Sequence, residues 1–184
     1  MRKGRRIMGV RVYSDKPRIY FDMDGVVADF EKAMNDAGST PSEFKLRAGV
    51  YRNLPLVDGA LEAIAELIEA GFEIWFLTKP PSKNPYSTTE KLQWVKEHFP
   101  ELYERVIITP DKGAVGTSQD ILVDDHPEWA NANNFPGTII KFEGDWDVTL
   151  WTIHATLANQ TENAETDMSL SGIAKSVIDF LRGD

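Results

Sequence analysis

The sequence predicts an α/β fold: a mostly parallel sheet, helical crossovers, and a small helical cap inserted after the first strand. Three observations carry this expectation. Five short runs rich in β-branched and aromatic residues are almost continuously apolar, as strands buried on both faces of a parallel sheet are. Amphipathic helical stretches stand between them, which suits right-handed crossovers. One segment, residues 31–57, breaks the alternation between the first strand and its expected crossover helix.

Taken in chain order, residues 1–17 read as a basic N-terminal arm. Residues 1–18 hold seven Lys/Arg and one acid. A solvated, frayed terminus explains "MRKGRR" better than a nucleic-acid arm, and no apolar segment follows it to make a secretory signal. The runs "RIYFD" (18–22), "FEIWFL" (72–77), "RVIIT" (105–109), "DILVD" (120–124) and "GTIIKF" (137–142) are the expected strands. Residues 31–57 read as the cap, and residues 18–30 with 58–184 as the core. "DGALEAIAELIEAG" places Leu61, Ile64, Leu67 and Ile68 on one helical face, with Asp58 as cap and Gly71 as stop. "STTEKLQWVKEHFP" opens with a capping-box spacing, Ser87 to Glu90, and closes at Pro100. Residues 143–169 show no clear pattern, and "TENAETDMS" within them reads as an exposed loop. "SGIAKSVIDFLRG" carries a last helical stripe of Ile173, Val177, Phe180 and Leu181.

Composition narrows the function classes. With 184 residues and 42% hydrophobic content, a packed globular core is expected. No apolar run approaches the roughly 20 residues that span a bilayer. The chain has no cysteine, which excludes disulfides, thiolate metal sites and a cysteine nucleophile and suits a cytoplasmic setting. A formal net charge of −9 argues against general duplex binding, because that affinity comes from neutralising phosphates. No stable nucleic-acid binding and no membrane association are expected; oligomerisation is left open. His98, His126 and His154 show no zinc-ligand spacing, and no P-loop motif is present. Trp75 and Trp94 are placed on a strand and a helix, while Trp129, Trp146 and Trp151 are candidates for the rim of a site.

In an open parallel sheet, ligands bind beyond the carboxyl ends of the strands. Here the first strand ends in Asp22, with Asp24 in the next turn. The second ends in Thr78, the third is followed by Lys112, and the fourth ends in Asp124 and Asp125. Clustered carboxylates are hard oxygen ligands suited to Mg²⁺, whose charge offsets their repulsion. An ionised carboxylate beside phosphorus can act as nucleophile. A second carboxyl can protonate a leaving oxygen and later activate water. A lysine and a hydroxyl stabilise the oxygens of a transferring phosphoryl group. Gly25 permits a tight turn and a close backbone approach. Singly each residue is a weak signal; in chain order at successive strand ends they describe a phosphoryl-transfer site.

The pieces "DMDG" (22–25), "LT" (77–78), Lys112 in "TPDKG" and "ILVDD" (121–125) resemble the haloacid dehalogenase superfamily of phosphotransferases. Receiver domains of two-component signalling use similar groups, but there an acid pair sits on the first strand and the phosphorylated aspartate follows a later one. Here D-x-D-G opens the set and the late acid pair follows the lysine, which favours the phosphatase. From about Ile19 to about Pro127, "FDMDGVVADFE", "PLVDGALEAI", "FLTKPPSKNPYSTTEKLQWVKEHF" and "VIITPDKGAVGTSQDILVDDHP" resemble the 5′(3′)-deoxyribonucleotidases, small Mg²⁺-dependent nucleoside-monophosphate phosphatases. That resemblance implies a three-layer α/β/α Rossmann-like core. It implies Asp22 as nucleophile and metal ligand, and Asp24 as general acid/base with its main-chain carbonyl on the metal. Asp124, with Asp125, would complete the metal site, and Thr78 and Lys112 would hold the phosphoryl group. Lys91 would bind the phosphate region and Phe30 would line the nucleoside pocket. Lys79 stands where the family commonly has a small hydroxyl residue and joins the substrate-binding set. The 31–57 insertion is shorter than the cap of the mammalian members, and the chain beyond about residue 143 does not match. The expected substrate is a small phosphomonoester, foremost a deoxynucleotide; a sugar phosphate keeps the same chemistry, and a non-catalytic phosphate-binding or signalling domain is the alternative of another class.

Overall fold

The computed structural model describes residues 17–162. The chain divides into two compact units, Met1–Gly144 and Asp145–Asp184. In the first, β1 (Arg18–Phe21), β2 (Glu73–Thr78), β3 (Val106–Ile108), β4 (Ile121–Asp124) and β5 (Thr138–Lys141) form one sheet in the order β3-β2-β1-β4-β5. Every pairing is parallel. Each expected strand is present to within a residue or two at either end.

Continuous apolar runs arise because both faces are covered. Tyr20, Leu77 and Leu122 pack with Ala132 and Phe135 on one face. Phe76, the neighbour of Leu77, meets Phe99, which packs on Trp94. The strand order fixes the site. The chain builds outward from β1 through β2 to β3, then returns to the other side of β1 with β4 and β5. The reversal falls between β1 and β4, where an open α/β sheet leaves a crevice at its carboxyl edge. The Asp22 N–H donates to the Val123 carbonyl at 2.9 Å, extending the β1–β4 ladder to the edge itself.

Between β1 and β2 lie α1 (Phe30–Asp36), α2 (Pro41–Phe44) and α3 (Ala60–Glu69). The Asp29 side chain caps α1 by accepting from the Lys32 N–H at 2.9 Å. Residues 30–57 thus hold two short helices followed by turns. Two expectations for α3 are corrected. Its N-cap is Gly59 in a left-handed conformation, with no side-chain cap from Asp58. The buried stripe is Ala60, Ala63, Ile64 and Leu67, so Leu61, one position off the stripe, is 43% exposed.

The next helix, α4 (Ser87–His98), ends before Pro100 as expected. Its capping box does not form. The Ser87 hydroxyl donates to the Asn84 carbonyl, and the Glu90 carboxylate accepts from the main chain of residues 49 and 51. A long-range use of Glu90 displaces the local one.

In the second unit a helix covers residues 146–162, started by Asp145, whose carboxylate accepts the Val148 N–H at 3.0 Å. Thr161 and Glu162 of "TENAETDMS" are therefore helical rather than loop. The rest of that stretch, the 173–181 stripe and residues 1–16 lie outside the described residues. Trp146 is buried and Trp151 exposed on this helix. Among the described residues no helix is long and apolar enough to cross a membrane.

Candidate active site

The turn after β1 is built around one carbonyl. Met23 O accepts from the N–H groups of Val26, Val27 and Ala28, at 3.3, 3.0 and 2.8 Å. Gly25 sits at φ +83, a region that disfavours side chains. A Cβ there would overlap the Asp125 carboxylate. The glycine therefore serves both the turn and the close approach of Asp125.

Two lysines divide the acids between them. Lys112, in the short turn after β3, is held at its N–H by the Ala130 carbonyl at 2.8 Å. Ala130 and Asn131 both adopt left-handed backbone, uncommon without glycine. The buried Lys112 ammonium lies 2.6 Å from Asp124 Oδ2 and 3.0 Å from Asp22 Oδ1. Lys91, from α4 and fully buried, places its Nζ 2.5 Å from Asp24 Oδ1 and donates to Thr78 Oγ1 at 3.1 Å. Its third side is covered by the Tyr51 ring, 4.8 Å from Nζ to centroid. Tyr51 in turn stacks on Phe30 at 6.0 Å, and Phe30 meets Phe44 edge-on at 5.3 Å.

The electrostatics follow from crowding. Burial raises the Asp24 carboxyl above its ordinary range; the Lys91 ammonium opposes this and the Asp22 charge adds to it. Burial and the Asp22 charge likewise raise Asp124, against Lys112 and the His126 N–H, which donates to Asp124 Oδ1 at 2.9 Å. Asp125 is pushed up to about 6, by burial first and then by Asp22. Burial works against the Lys112 ammonium, but Asp22 and Asp124 override it and hold its proton more tightly than usual.

One carboxylate oxygen from each of Asp22, Asp124 and Asp125 lies within 4.8 Å of the other two. Three hard donors this close together, two of them raised in pKa by burial and by the neighbouring Asp22 charge, fit a divalent cation such as Mg²⁺. The structure therefore brings together Asp22, Asp24, Thr78, Lys91, Lys112, Asp124 and Asp125, with Phe30 joined to them through Tyr51. Lys79 directly follows Thr78 at the end of β2 and is exposed. Sequence reasoning missed Tyr51 and Glu90, since nothing in local spacing marks a ring that covers a distant lysine. It noted His126 but not its stack on the exposed Trp129, 3.9 Å between ring centroids, next to Asp125.

The chain is similar in sequence to a set of named proteins. A family model described as "5' nucleotidase, deoxy (Pyrimidine), cytosolic type C protein" matches residues 36–156. A "Putative 5'(3')-deoxyribonucleotidase" of Bordetella bronchiseptica is 33% identical over 59% of this chain and 74% of its own length. The "5'(3')-deoxyribonucleotidase, mitochondrial" of Homo sapiens is 29% identical over 73% of this chain and 70% of its own. A "Putative 5'(3')-deoxyribonucleotidase" of Vibrio phage KVP40 is 27% identical over 72% and 79%. Among solved structures, a hydrolase from Pseudomonas syringae superposes with a TM-score of 0.46 at 12% identity, over 70% of this chain and 85% of that one.

Proposed function

The chain belongs to the 5' nucleotidase, deoxy (pyrimidine), cytosolic type C family and is a phosphoric monoester hydrolase, and from that premise we propose a Mg²⁺-dependent enzyme that removes phosphate from (deoxy)nucleoside 5′-monophosphates in the cytoplasm. The observation that carries this reading is the convergence of Asp22, Asp24, Thr78, Lys91, Lys112, Asp124 and Asp125 at the β1–β4 edge.

In this reading an Asp22 carboxylate oxygen attacks phosphorus. The bond from phosphorus to the ester oxygen breaks, and Asp24 gives its proton to the departing nucleoside oxygen. The raised Asp24 carboxyl suits a group that must carry a proton into that step. Water then attacks the aspartyl-phosphate, Asp24 takes the proton, and the bond to Asp22 breaks to release inorganic phosphate. Lys112 and the Thr78 hydroxyl face the phosphoryl oxygens, where fixed donors stabilise redistributed charge. Asp22, Asp124, Asp125 and the Asp24 carbonyl would hold Mg²⁺, which supplies Lewis-acid stabilisation of the phosphate oxygens. Residues 31–57 form the cap, and the part-exposed Phe30, backed by the buried Tyr51 ring, offers an aromatic surface for a nucleoside.

The test is a phosphate-release screen with Mg²⁺ over deoxy- and ribonucleotides, sugar phosphates and a generic aryl phosphate. Deoxynucleotides should be preferred, and EDTA should stop release until Mg²⁺ is restored. Preference for a sugar phosphate would overturn the substrate assignment. No release from any compound would favour the non-catalytic reading.

A further inference from the structure

Glu90 has a use that catalysis does not absorb. The residue is 7% exposed, and its carboxylate accepts the Gly49 N–H at 2.6 Å and the Tyr51 N–H at 3.2 Å. Two side chains near it act on the same segment. Asn84 Nδ2 donates to the carbonyls of Lys45 and Arg47 at 3.0 and 3.2 Å. Trp94 Nε1 donates to the Leu54 carbonyl at 2.8 Å. Helix α4 and the turn before it thus grip the main chain of residues 45–54 at five points. Of these five, the Glu90 pair includes the bond to Tyr51 itself, and Glu90 alone among the three side chains brings a charge-assisted acceptor.

What the grip positions is the Tyr51 ring. A fully buried ammonium needs a partner on each side, and Lys91 has two oxygens, on Asp24 and Thr78, and one ring face. Removing the ring opens the third side, and the long lysine stem gains other rotamers. We propose that Glu90 is a positioning residue: by fixing the main chain at 49–51 it holds Tyr51 over Lys91, and so holds Lys91 against Asp24 and Thr78. The proposal rests on the function above in that Lys91 then faces a phosphoryl group.

The experiment uses the full chain, the near-isosteric Glu90→Gln, the ring-removing Tyr51→Leu, and the double variant. With an aryl phosphate and Mg²⁺, each single change should lower kcat/KM by about tenfold, mainly through KM. The double variant should be no worse than Tyr51→Leu alone, since both act through one contact. Multiplied losses in the double variant overturn the proposal. So does a Glu90→Gln protein that melts earlier with kcat and KM unchanged. A second readout needs no turnover: the Tyr51 ring current should shift the Lys91 methylene protons in NMR, and Glu90→Gln should move them toward their Tyr51→Leu position. Unmoved protons overturn the positioning role even in an inactive protein, whereas absent phosphate release alone counts against the proposed function.

Discussion

Asp125→Asn should stabilise the metal-free protein at neutral pH. The wild-type carboxyl is pushed from its ordinary 3.8 up to about 6, by burial and by Asp22. A folded-state pKa above the unfolded one means that the native state binds the extra proton between those values. This contribution to stability is complete below about pH 4 and is lost as pH rises through about 6. At about 1.4 kcal/mol per unit, the ionised carboxylate costs at most about 3 kcal/mol. The side chain is 24% exposed, so solvent screening reduces this to about 1–2 kcal/mol.

Asn keeps the shape that packs on Gly25 and carries no charge at any pH. Urea unfolding in EDTA should therefore show Asp125→Asn more stable than wild type by about 1–2 kcal/mol at pH 7.5, with the gain gone at pH 4. Added Mg²⁺ should raise the wild-type midpoint more than that of the variant. A gain of equal size at both pH values, or none at pH 7.5, would refute the electrostatic account of the acid cluster.

Three other outcomes are expected. Asp22→Asn should lower phosphate release by more than about 10³-fold with an unchanged circular dichroism spectrum; retained turnover would remove Asp22 as nucleophile. Gly25→Ala should destabilise by about 1–3 kcal/mol and weaken Mg²⁺ binding in calorimetry, because the new Cβ needs both a left-handed backbone and the space of Asp125; normal Mg²⁺ affinity would contradict that packing. Lys112→Met should cost about 3 kcal/mol in EDTA, since it leaves the 1%-exposed Asp124 carboxylate without its ammonium, and a urea midpoint unchanged from wild type would count against the pairing.

The strands were legible because burial on both faces writes an unbroken apolar run, and each of the five falls where its run lies. Asp22, Thr78, Lys112 and Asp124 were legible for a related reason. In a parallel sheet every strand presents its carboxyl end at one edge, so chain position alone gathers them. The parts that escaped are set by distant neighbours. Ser87 and Glu90 have the spacing of a local cap, yet Glu90 serves residues 49 and 51. Leu61 satisfies the helical pattern as well as Ala60 does, but the helix begins at Ala60 and turns Leu61 outward. Lys91 entered only through family resemblance, because a lysine on an amphipathic helix carries no mark of the two oxygens and the ring that will enclose it.

The arrangement of charge is the strongest internal argument for a cation. Four carboxylates, Asp22, Asp24, Asp124 and Asp125, meet two ammonium groups. Lys91 is engaged by Asp24, and Lys112 is shared between Asp22 and Asp124. Asp125 has no lysine or arginine among the described residues; the nearest positive candidate is His126, 3.8 Å away and also paired with Glu128 at 2.7 Å. Yet Asp125 is drawn close to Asp22 and Asp124, against a glycine that makes room for it. Packing that brings an unneutralised carboxylate toward two others is unfavourable unless positive charge binds between them. With all six groups ionised the excess is two negative charges, and the three oxygens that would share a divalent ion include the one acid that no lysine reaches. Lys91 thus balances Asp24, and Lys112 balances Asp22 and Asp124, while neither pairs with Asp125.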